Sequence, residues 1–255
     1  MEAGWLHLQF KAAGVNARNA YAVYGLPGPG SWLGFAHALS QRVAEPFIAE
    51  KVIFVVHDHH FERDTAKAGA PFRARRSTEI GVRKETIVDH PEMKLQLGLF
   101  LPIGDRHLPD ESHLRRALST LRFAGGVIDQ GSVNIRIDTL GSLWKTQPRG
   151  HVVLPEDLPE VGTPLESLIW SLTQPTPGWV RPSIRGYEFL TPPLATAGGR
   201  FIPGTGQKAE HVLAEPLLGL VRYQSVRAPL EGQAAAWHYT HQPDLLLFEA
   251  DPVSL

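Results

Sequence analysis

The sequence predicts an α+β fold, because short strand patterns alternate with two amphipathic helix patterns in its first half. Of the 255 residues, 43% are apolar, which is enough to fill a substantial core. From about Gly150 onward the chain is richer in proline and less periodic. No low-complexity linker separates the halves, so we expect residues 1–149 and 150–255 to pack as one structural unit.

The first two elements are a strand and a helix that covers it. Residues Trp5–Phe10 alternate apolar and polar side chains, as a strand with one buried face does. After a loop rich in Gly, Asn and Pro, Ser31 is a suitable N-cap, and Pro46 is expected to end the helix. The predicted inner stripe of this helix is Trp32, Phe35, Ala36, Leu39 and Val43.

Three further strands and a second helix follow in the first half. Lys51–Val56 and Lys94–Leu101 are apolar strand candidates, and Ser132–Thr139 is another. A second helix is capped by Asp110 and is expected to stop at Gly125-Gly126. The resulting order, β-α-β-insert-β-α-β, predicts a ferredoxin-like core of the kind found in RNA-recognition (RRM-like) domains.

The second half is predicted to be irregular and rich in β-structure. Helices are expected near Thr163–Leu172 and Lys208–Leu220. Strand patterns occur at Trp179–Leu190 and Ala236–Glu249.

The insert at about 63–92 concentrates positive charge. Seven basic and two acidic residues lie between Arg63 and Lys84, although the chain has a formal net charge of −1. Two arms around Ile80-Gly81 predict a protruding hairpin, which we call the thumb. It is either an RNA-binding element, an ordinary solvated loop or a contact for acidic patches on another protein. The candidate RNA-binding side chains are Arg73, Arg75, Arg76, Arg83 and Lys84.

Polar residues around the first helix form a second candidate site. A phosphate could bind the free N–H groups at the helix start, close to Asn16, Arg18, Asn19 and Ser31. Asparagine also favours turns by bonding to its own backbone, and this alternative stays open. Arg181 and Arg185 are further candidates, although exposed arginine on a strand is common.

The histidine-rich tract from His57 to Glu62 suggests metal or acid–base chemistry. On a regular strand His57 and His59 would share one face, and Asp58 and His60 the other. A catalytic metal usually needs three convergent ligands, so we expect no metal and no cofactor.

Composition bounds the cellular setting. The absence of cysteine excludes disulfides and thiolate sites and is typical of the reducing cytoplasm. The first residues lack a signal-peptide pattern, and no apolar run approaches the roughly 20 residues of a membrane span. We therefore expect an unprocessed cytoplasmic protein without a membrane partner.

Several motifs in a shared order resemble the Csy-type (Cas-five-like) handle-binding subunit of type I-F CRISPR complexes, a member of the repeat-associated (RAMP) superfamily. The longest is NARNAYAVYGLPGPGSWLGFAHALSQRV, which begins at Asn16. The others, in chain order, are His59-His60-Phe61-Glu62, Leu121 to Gly126 (LRFAGG), Pro177 to Pro182 (PGWVRP) with Gly186-Tyr187, Leu218-Gly219-Leu220 and Trp237-His238-Tyr239. The similarity spans most of the chain, which is shorter than expected for that family, so a reduced variant such as a type IV system fits almost as well.

The resemblance implies a non-catalytic subunit of a guide-RNA surveillance complex. Such a subunit holds the 5′ handle of the guide RNA, docks a large subunit and backbone subunits, and can lie near target DNA beside the protospacer-adjacent motif. Two rival functions remain open. One is a processing endoribonuclease on the same fold, using His7, His37 and Tyr21. The other is a metal-dependent hydrolase using His57 to Glu62.

Overall fold

The computed structural model describes residues 4–20, 23–43, 50–62, 74–75, 90–104, 110–174, 178–190, 212–227 and 233–255. Within these ranges the helices are α1 (Pro29–Arg42), α2 (Glu111–Thr120), α3 (Leu140–Lys145) and α4 (Pro164–Thr173). The strands are β1 (Gly4–Asn16), β2 (Arg18–Ala20), β3 (Val23–Tyr24), β4 (Ile53–Phe61), β5 (Ala74–Arg75), β6 (His90–Gly104), β7 (Arg122–Phe123), β8 (Gly126–Asp138), β9 (His151–Glu156), β10 (Trp179–Phe189), β11 (Ala214–Ser225), β12 (Gln233–Gln242) and β13 (Leu245–Ser254).

A single antiparallel sheet of eleven strands forms the framework of this strand-rich protein of mixed α and β structure. Its order is β12-β13-β10-β11-β9-β4-β6-β1-β8-β7, with β5 paired to β6, while β2 and β3 form a separate pair. The two halves of the chain share the sheet, because Val55 of β4 pairs with Val152 of β9. A backbone bridge between Val52 and Trp237 also brings β12 next to the start of β4.

The sheet has a hydrophobic cluster on each face. Leu6, Leu8 and Phe10 alternate along β1 toward α1 and α2, and all three are fully buried. On the opposite face, Val55 and Phe100 pack with α3 in a smaller cluster.

Trp32 fixes α1 against both halves of the sheet. Its ring stacks on Phe54 of β4 at a centroid distance of 4.0 Å and meets Trp237 of β12 edge-on at 5.8 Å. Its indole N–H donates to the Pro27 carbonyl oxygen at 2.8 Å, which satisfies the buried polar atom. The start of α1 therefore lies at a defined place beside β12 and β13.

The predicted strands and helices of the first half are present, and two of the predicted helix ends differ. Helix α1 begins at Pro29 with Gly28 as its N-cap, so Ser31 lies in the first turn and the predicted cap is wrong. Pro46 lies outside the described residues. Helix α2 has the predicted Asp110 cap but ends at Thr120, because the motif Leu121 to Gly126 forms the β7–β8 hairpin instead.

The second half differs more from its prediction. Helix α4 matches the helix predicted near Thr163–Leu172, with Thr163 as its N-cap, and β10 matches the predicted strand. The helix predicted at Lys208–Leu220 is wrong, because residues from Ala214 onward form β11 between β9 and β10. The predicted strand Ala236–Glu249 consists of two strands, β12 and β13, that pair as a hairpin.

Most of the thumb lies outside the described residues. Within it, β5 pairs with the beginning of β6, Arg75 opposite His90. Strand β6 begins at His90, close to the predicted end of the insert at about 92.

The turn between β7 and β8 gives a test of this geometry. A Cβ at Gly126 would lie 2.6 Å from Cγ2 of Val15 and 2.9 Å from the Ala13 carbonyl oxygen. Gly126→Ala should therefore lower the free energy of unfolding by about 1–3 kcal/mol through overpacking, measured by urea denaturation with tryptophan fluorescence.

Gly125 provides the matched control for that substitution. It has φ +83° and open space around its Cα, and asparagine tolerates this conformation, so Gly125→Asn should cost less than about 1 kcal/mol. Equal losses for the two variants would contradict the described packing of the turn on β1.

Candidate nucleic-acid interface

A cleft of about 370 Å³ opens beside the first turn of α1. It brings together residues from β1, the β7–β8 turn, β10, β12 and β13, which are far apart in the sequence. Its lining residues are Asn16, Pro27, Gly28, Gly30, Ser31, Ala124, Ile184, Tyr187, Tyr239, Leu246 and Phe248. Two of the predicted RNA-binding residues, Asn16 and Ser31, therefore meet in one cavity.

The start of α1 forms the positive end of this cleft. Gly28 is the N-cap and has no side chain with which to accept from the first turn, and that turn carries no acidic residue. The Ser31 N–H donates to the Gly28 carbonyl oxygen at 2.9 Å, and Pro29 has no N–H. No carboxylate in the first turn of α1 therefore neutralises the positive end of the helix dipole. A positive helix end of this kind favours a bound anion.

Three aromatic rings from β10, β12 and β13 also line the cleft. Phe248 is buried and meets Tyr187 and Tyr239 in edge-to-face contacts at centroid distances of 5.9 Å and 5.7 Å. Both tyrosines are half-buried. Burial raises the pKa of Tyr187, and burial followed by the neighbouring Tyr187 raises the pKa of Tyr239 to about 12. Both phenols therefore remain neutral and can stack on a base or donate a hydrogen bond.

Close backbone approaches hold the walls in place. A Cβ at Gly30 would lie 2.7 Å from Cζ of Phe248, so only glycine allows α1 to come this near β13. On the other side, the Asn16 N–H donates to the Ala124 carbonyl oxygen at 2.9 Å. Ala124 has φ +45°, an uncommon conformation for alanine that persists because the hairpin around it is tightly paired.

The two arginines of β10 differ in their surroundings. Arg181 is exposed, and its guanidinium donates to the neighbouring Val180 carbonyl oxygen at 3.1 Å. The Arg185 guanidinium donates to the carbonyl oxygens of Phe248 and Leu220 and lies 4.9 Å from the Trp237 ring centroid. Arg185 thus supports the strand that carries Phe248, while Arg181 remains accessible to a ligand.

Several predicted contacts fall where side chains are not described. Arg18 and Asn19 lie in β2, which pairs with β3 next to the end of β1. Arg75 is placed by its backbone in β5. Outside the described residues are Arg73, Arg76, Arg83 and Lys84.

Sequence reasoning missed the aromatic wall. Gly186-Tyr187 and Trp237-His238-Tyr239 were noted as motifs, but only the fold shows that Tyr187, Tyr239 and Phe248 face the start of α1. It also missed a second cleft, of about 380 Å³, on the other face of the sheet. Lys11 and Lys94 line that cleft together with Asp58, His60 and Asp129, so its charges are mixed.

The histidine tract is divided by a β-bulge that sequence could not reveal. The register of β4 against β6 shifts between Val56 and Asp58. As a result His57 lies near His7, whereas His59 contacts Phe61 and Trp179 on the opposite face. The prediction that His57 and His59 share a face is wrong.

Three polar side chains converge over Gly98 on the α3 side of the sheet. A Cβ at Gly98 would lie 3.0 Å from Nε2 of both His7 and His57 and 3.8 Å from Oε1 of Gln147. None of these three atoms has a hydrogen-bond partner among the described residues. The His57 Nδ1 lies 3.2 Å from the Arg149 carbonyl oxygen, which places the proton on Nδ1.

The positions of the candidate catalytic residues give little support to the endoribonuclease and hydrolase alternatives. His7 is buried against Phe100 on the α3 side, whereas His37 is exposed on α1 across the sheet. Tyr21 lies outside the described residues. In the described part of the chain no three His, Asp or Glu side chains are grouped closely enough to hold a metal ion.

No family model matches this chain, and no curated protein is significantly similar to it. Among the described helices, none combines the length and apolar character that crossing a bilayer requires.

The buried histidines predict a pH dependence of stability. Burial, followed by the charges of His57 and Arg136, lowers the pKa of His7 to about 3, and burial lowers that of His57. Both are neutral in the folded protein but bind protons in the unfolded chain below about pH 6.5. Their stabilisation is complete above that pH and is lost as the pH falls toward 3.

Urea denaturation of His7→Phe and the unsubstituted protein from pH 7 to 4.5 tests this dependence. The variant should lose less stability on acidification, by about 1.4 kcal/mol per pH unit below pH 6.5. His113, exposed on α2, supplies the control, because His113→Gln removes no buried imidazole. Parallel pH profiles for His7→Phe and the unsubstituted protein would show that His7 is not buried as described.

Proposed function

We propose that this protein is a non-catalytic RNA-binding subunit of a CRISPR surveillance complex for antiviral or anti-plasmid defence. It holds the 5′ handle of the guide RNA in the cytoplasm and docks large and backbone subunits, close to target DNA at the protospacer-adjacent motif. The observation that carries the RNA-binding proposal is the cleft in which the start of α1 faces Tyr187, Tyr239 and Phe248. The proposed role in a CRISPR complex is supported in addition by the resemblance of the sequence motifs.

The strand order supports a ferredoxin-like core for this function. Strands β4, β6, β1 and β8 are adjacent in that order, and each neighbouring pair is antiparallel. Helix α1 connects β1 to β4, and α2 connects β6 to β8. Two split β-α-β units of this kind are the ferredoxin-like pattern.

The chemistry of the cleft suits one nucleotide of a single strand. A neutral tyrosine ring offers a stacking surface for an unpaired base, and such stacking is largely independent of sequence. The uncapped start of α1 favours the adjoining phosphate, and Asn16 and Ser31 can bond to sugar or base edges. A paired base could not reach the rings, so single-stranded RNA is the expected ligand.

The thumb and Arg181 supply positive charge outside the cleft. The thumb joins the sheet through β5, which pairs with β6. Its arginines and Arg181 would neutralise phosphates of neighbouring nucleotides. Positioning of RNA is therefore the proposed activity, with no bond made or broken.

Loss of the aromatic wall should weaken RNA binding. Tyr239→Leu should reduce affinity for single-stranded RNA by about 5- to 150-fold, because one stacked base contributes about 1–3 kcal/mol. Fluorescence anisotropy with a labelled single-stranded RNA of mixed sequence measures the change. Tyr239→Phe keeps the ring and should bind nearly normally. Equal affinity of Tyr239→Leu and the unsubstituted protein, or a preference for duplex RNA, would contradict the proposed site.

Removal of thumb charge should change the salt dependence. Replacing Arg73, Arg75 and Arg76 with alanine should weaken binding and lower the slope of log K against log salt by about 2. A control triple that neutralises the exposed Arg116, Lys145 and Arg227 should leave the slope nearly unchanged. The same slope for the thumb variant and the unsubstituted protein would exclude the thumb from the interface.

A further inference from the structure

Helix α4 is oriented with its polar side toward the protein. Ser167 and Ser171 are buried, whereas Leu165, Ile169 and Trp170 are exposed by 64%, 54% and 44%. A surface helix normally buries its apolar stripe. The buried hydroxyls bond locally: Ser167 donates to the Val161 carbonyl oxygen at 3.0 Å, and Ser171 to the Ser167 carbonyl oxygen at 2.9 Å. These local bonds would form whichever side of α4 faced the protein. The hydrogen bonds of the serines therefore do not explain why the apolar side faces outward.

The exposed side has the spacing of a docking helix. Leu165, Ile169 and Leu172 recur at i, i+4 and i+7, so they lie on one stripe with Trp170 beside it. Leucine, isoleucine and tryptophan side chains on a folded surface mark an interaction site when they are contiguous. An aromatic anchor next to an aliphatic stripe is the composition of an interface centre.

The helix is already formed before any partner binds. Thr163 accepts from the Glu166 N–H, and the Glu166 carboxylate accepts from the Thr163 N–H at 2.7 Å, which completes a capping box. Because the backbone is ordered in advance, docking would cost little conformational entropy.

The segment of chain that contains α4 is acidic. Residues 150–180 contain no lysine or arginine, and Asp157, Glu160 and Glu166 are exposed there. Glu156, the remaining acid, is paired with Arg222. An RNA backbone would be repelled by this surface, and a second copy would place the same acidic residues against each other. A partner with complementary charge would be basic.

We propose that α4 is the docking element for a different protein chain, whose apolar groove receives Leu165, Ile169 and Trp170 and whose rim is basic. This inference is independent of RNA binding, which uses the start of α1. It assigns the protein two separate surfaces: a cleft for RNA and an acidic, apolar surface for protein.

Two synthetic amphipathic helices test the proposal. Both carry the same leucine face, and their polar faces are all lysine in one and all glutamate in the other. By isothermal titration calorimetry with the full chain, the lysine peptide should bind at least about tenfold more tightly than the glutamate peptide. The double variant Leu165→Ser, Ile169→Ser should lose about tenfold in affinity for the lysine peptide. The double variant Asp157→Asn, Glu160→Gln should reduce the difference between the peptides.

Exposed apolar residues on β8 give the matched control. Val127 and Ile137 are exposed by 56% and 47%, so the double variant Val127→Ser, Ile137→Ser removes similar apolar surface away from α4. It should bind the lysine peptide normally. Equal binding of both peptides, or equal losses in the α4 and β8 variants, would overturn the proposal. So would a dimer in sedimentation that Ile169→Ser converts to monomer, because a second copy would then occupy α4.

RNA affinity of the same variants separates the two proposals. The α4 double variant should bind single-stranded RNA as tightly as the unsubstituted chain. A loss of RNA binding on substitution of Leu165 and Ile169 would mean that the two surfaces are one, and would overturn the assignment of α4 to protein. Failure of the chain to bind RNA at all would contradict only the proposed function.

Discussion

The packing of Trp32 between Phe54 and Trp237 determines where α1 begins relative to the two halves of the sheet. The ring is fully buried, stacked on one partner and edge-on to the other, and its N–H is satisfied by the Pro27 carbonyl oxygen. Trp237 is held in turn by a bond from its own indole N–H to the Val153 carbonyl oxygen at 2.8 Å. These contacts join residues from both halves, so the cleft beside α1 exists only in the complete fold.

The cleft beside α1 and the acidic segment that contains α4 are different parts of the protein. The cleft combines an uncapped helix start with neutral aromatic rings, and the basic thumb joins the neighbouring region of the sheet through β5. The exposed acidic residues of the 150–180 segment instead precede α4 in the chain or lie within it. A chain with a formal net charge of −1 can therefore carry a concentration of basic residues in one segment and of acidic residues in another.

Local patterns predicted the elements that depend on local forces. The alternation in β1, the apolar run of β4 and the Asp110 cap were all readable, because period and capping act within a few residues. The strand β11 was mistaken for a helix, because pairing with β9 and β10 outweighs the helical spacing of its leucines.

The candidate site was only partly readable from sequence. Asn16 and Ser31 were found through the loop and the helix start, although Ser31 is not the cap. Tyr187, Tyr239 and Phe248 approach α1 through pairing between distant strands, for which the sequence carries no local signal. The bulge that turns His57 away from His59 is likewise a property of register, which no residue type in the tract indicates.

Ultraviolet crosslinking of the full chain to a 4-thiouridine-containing single-stranded RNA, followed by peptide mass spectrometry, directly tests RNA binding at the α1 cleft. Nucleotide adducts are expected on the peptides that contain Tyr187 or Tyr239, at the wall of this cleft. Adducts confined to the α4 surface or to the opposite face of the sheet near Lys11 and Lys94 would contradict it.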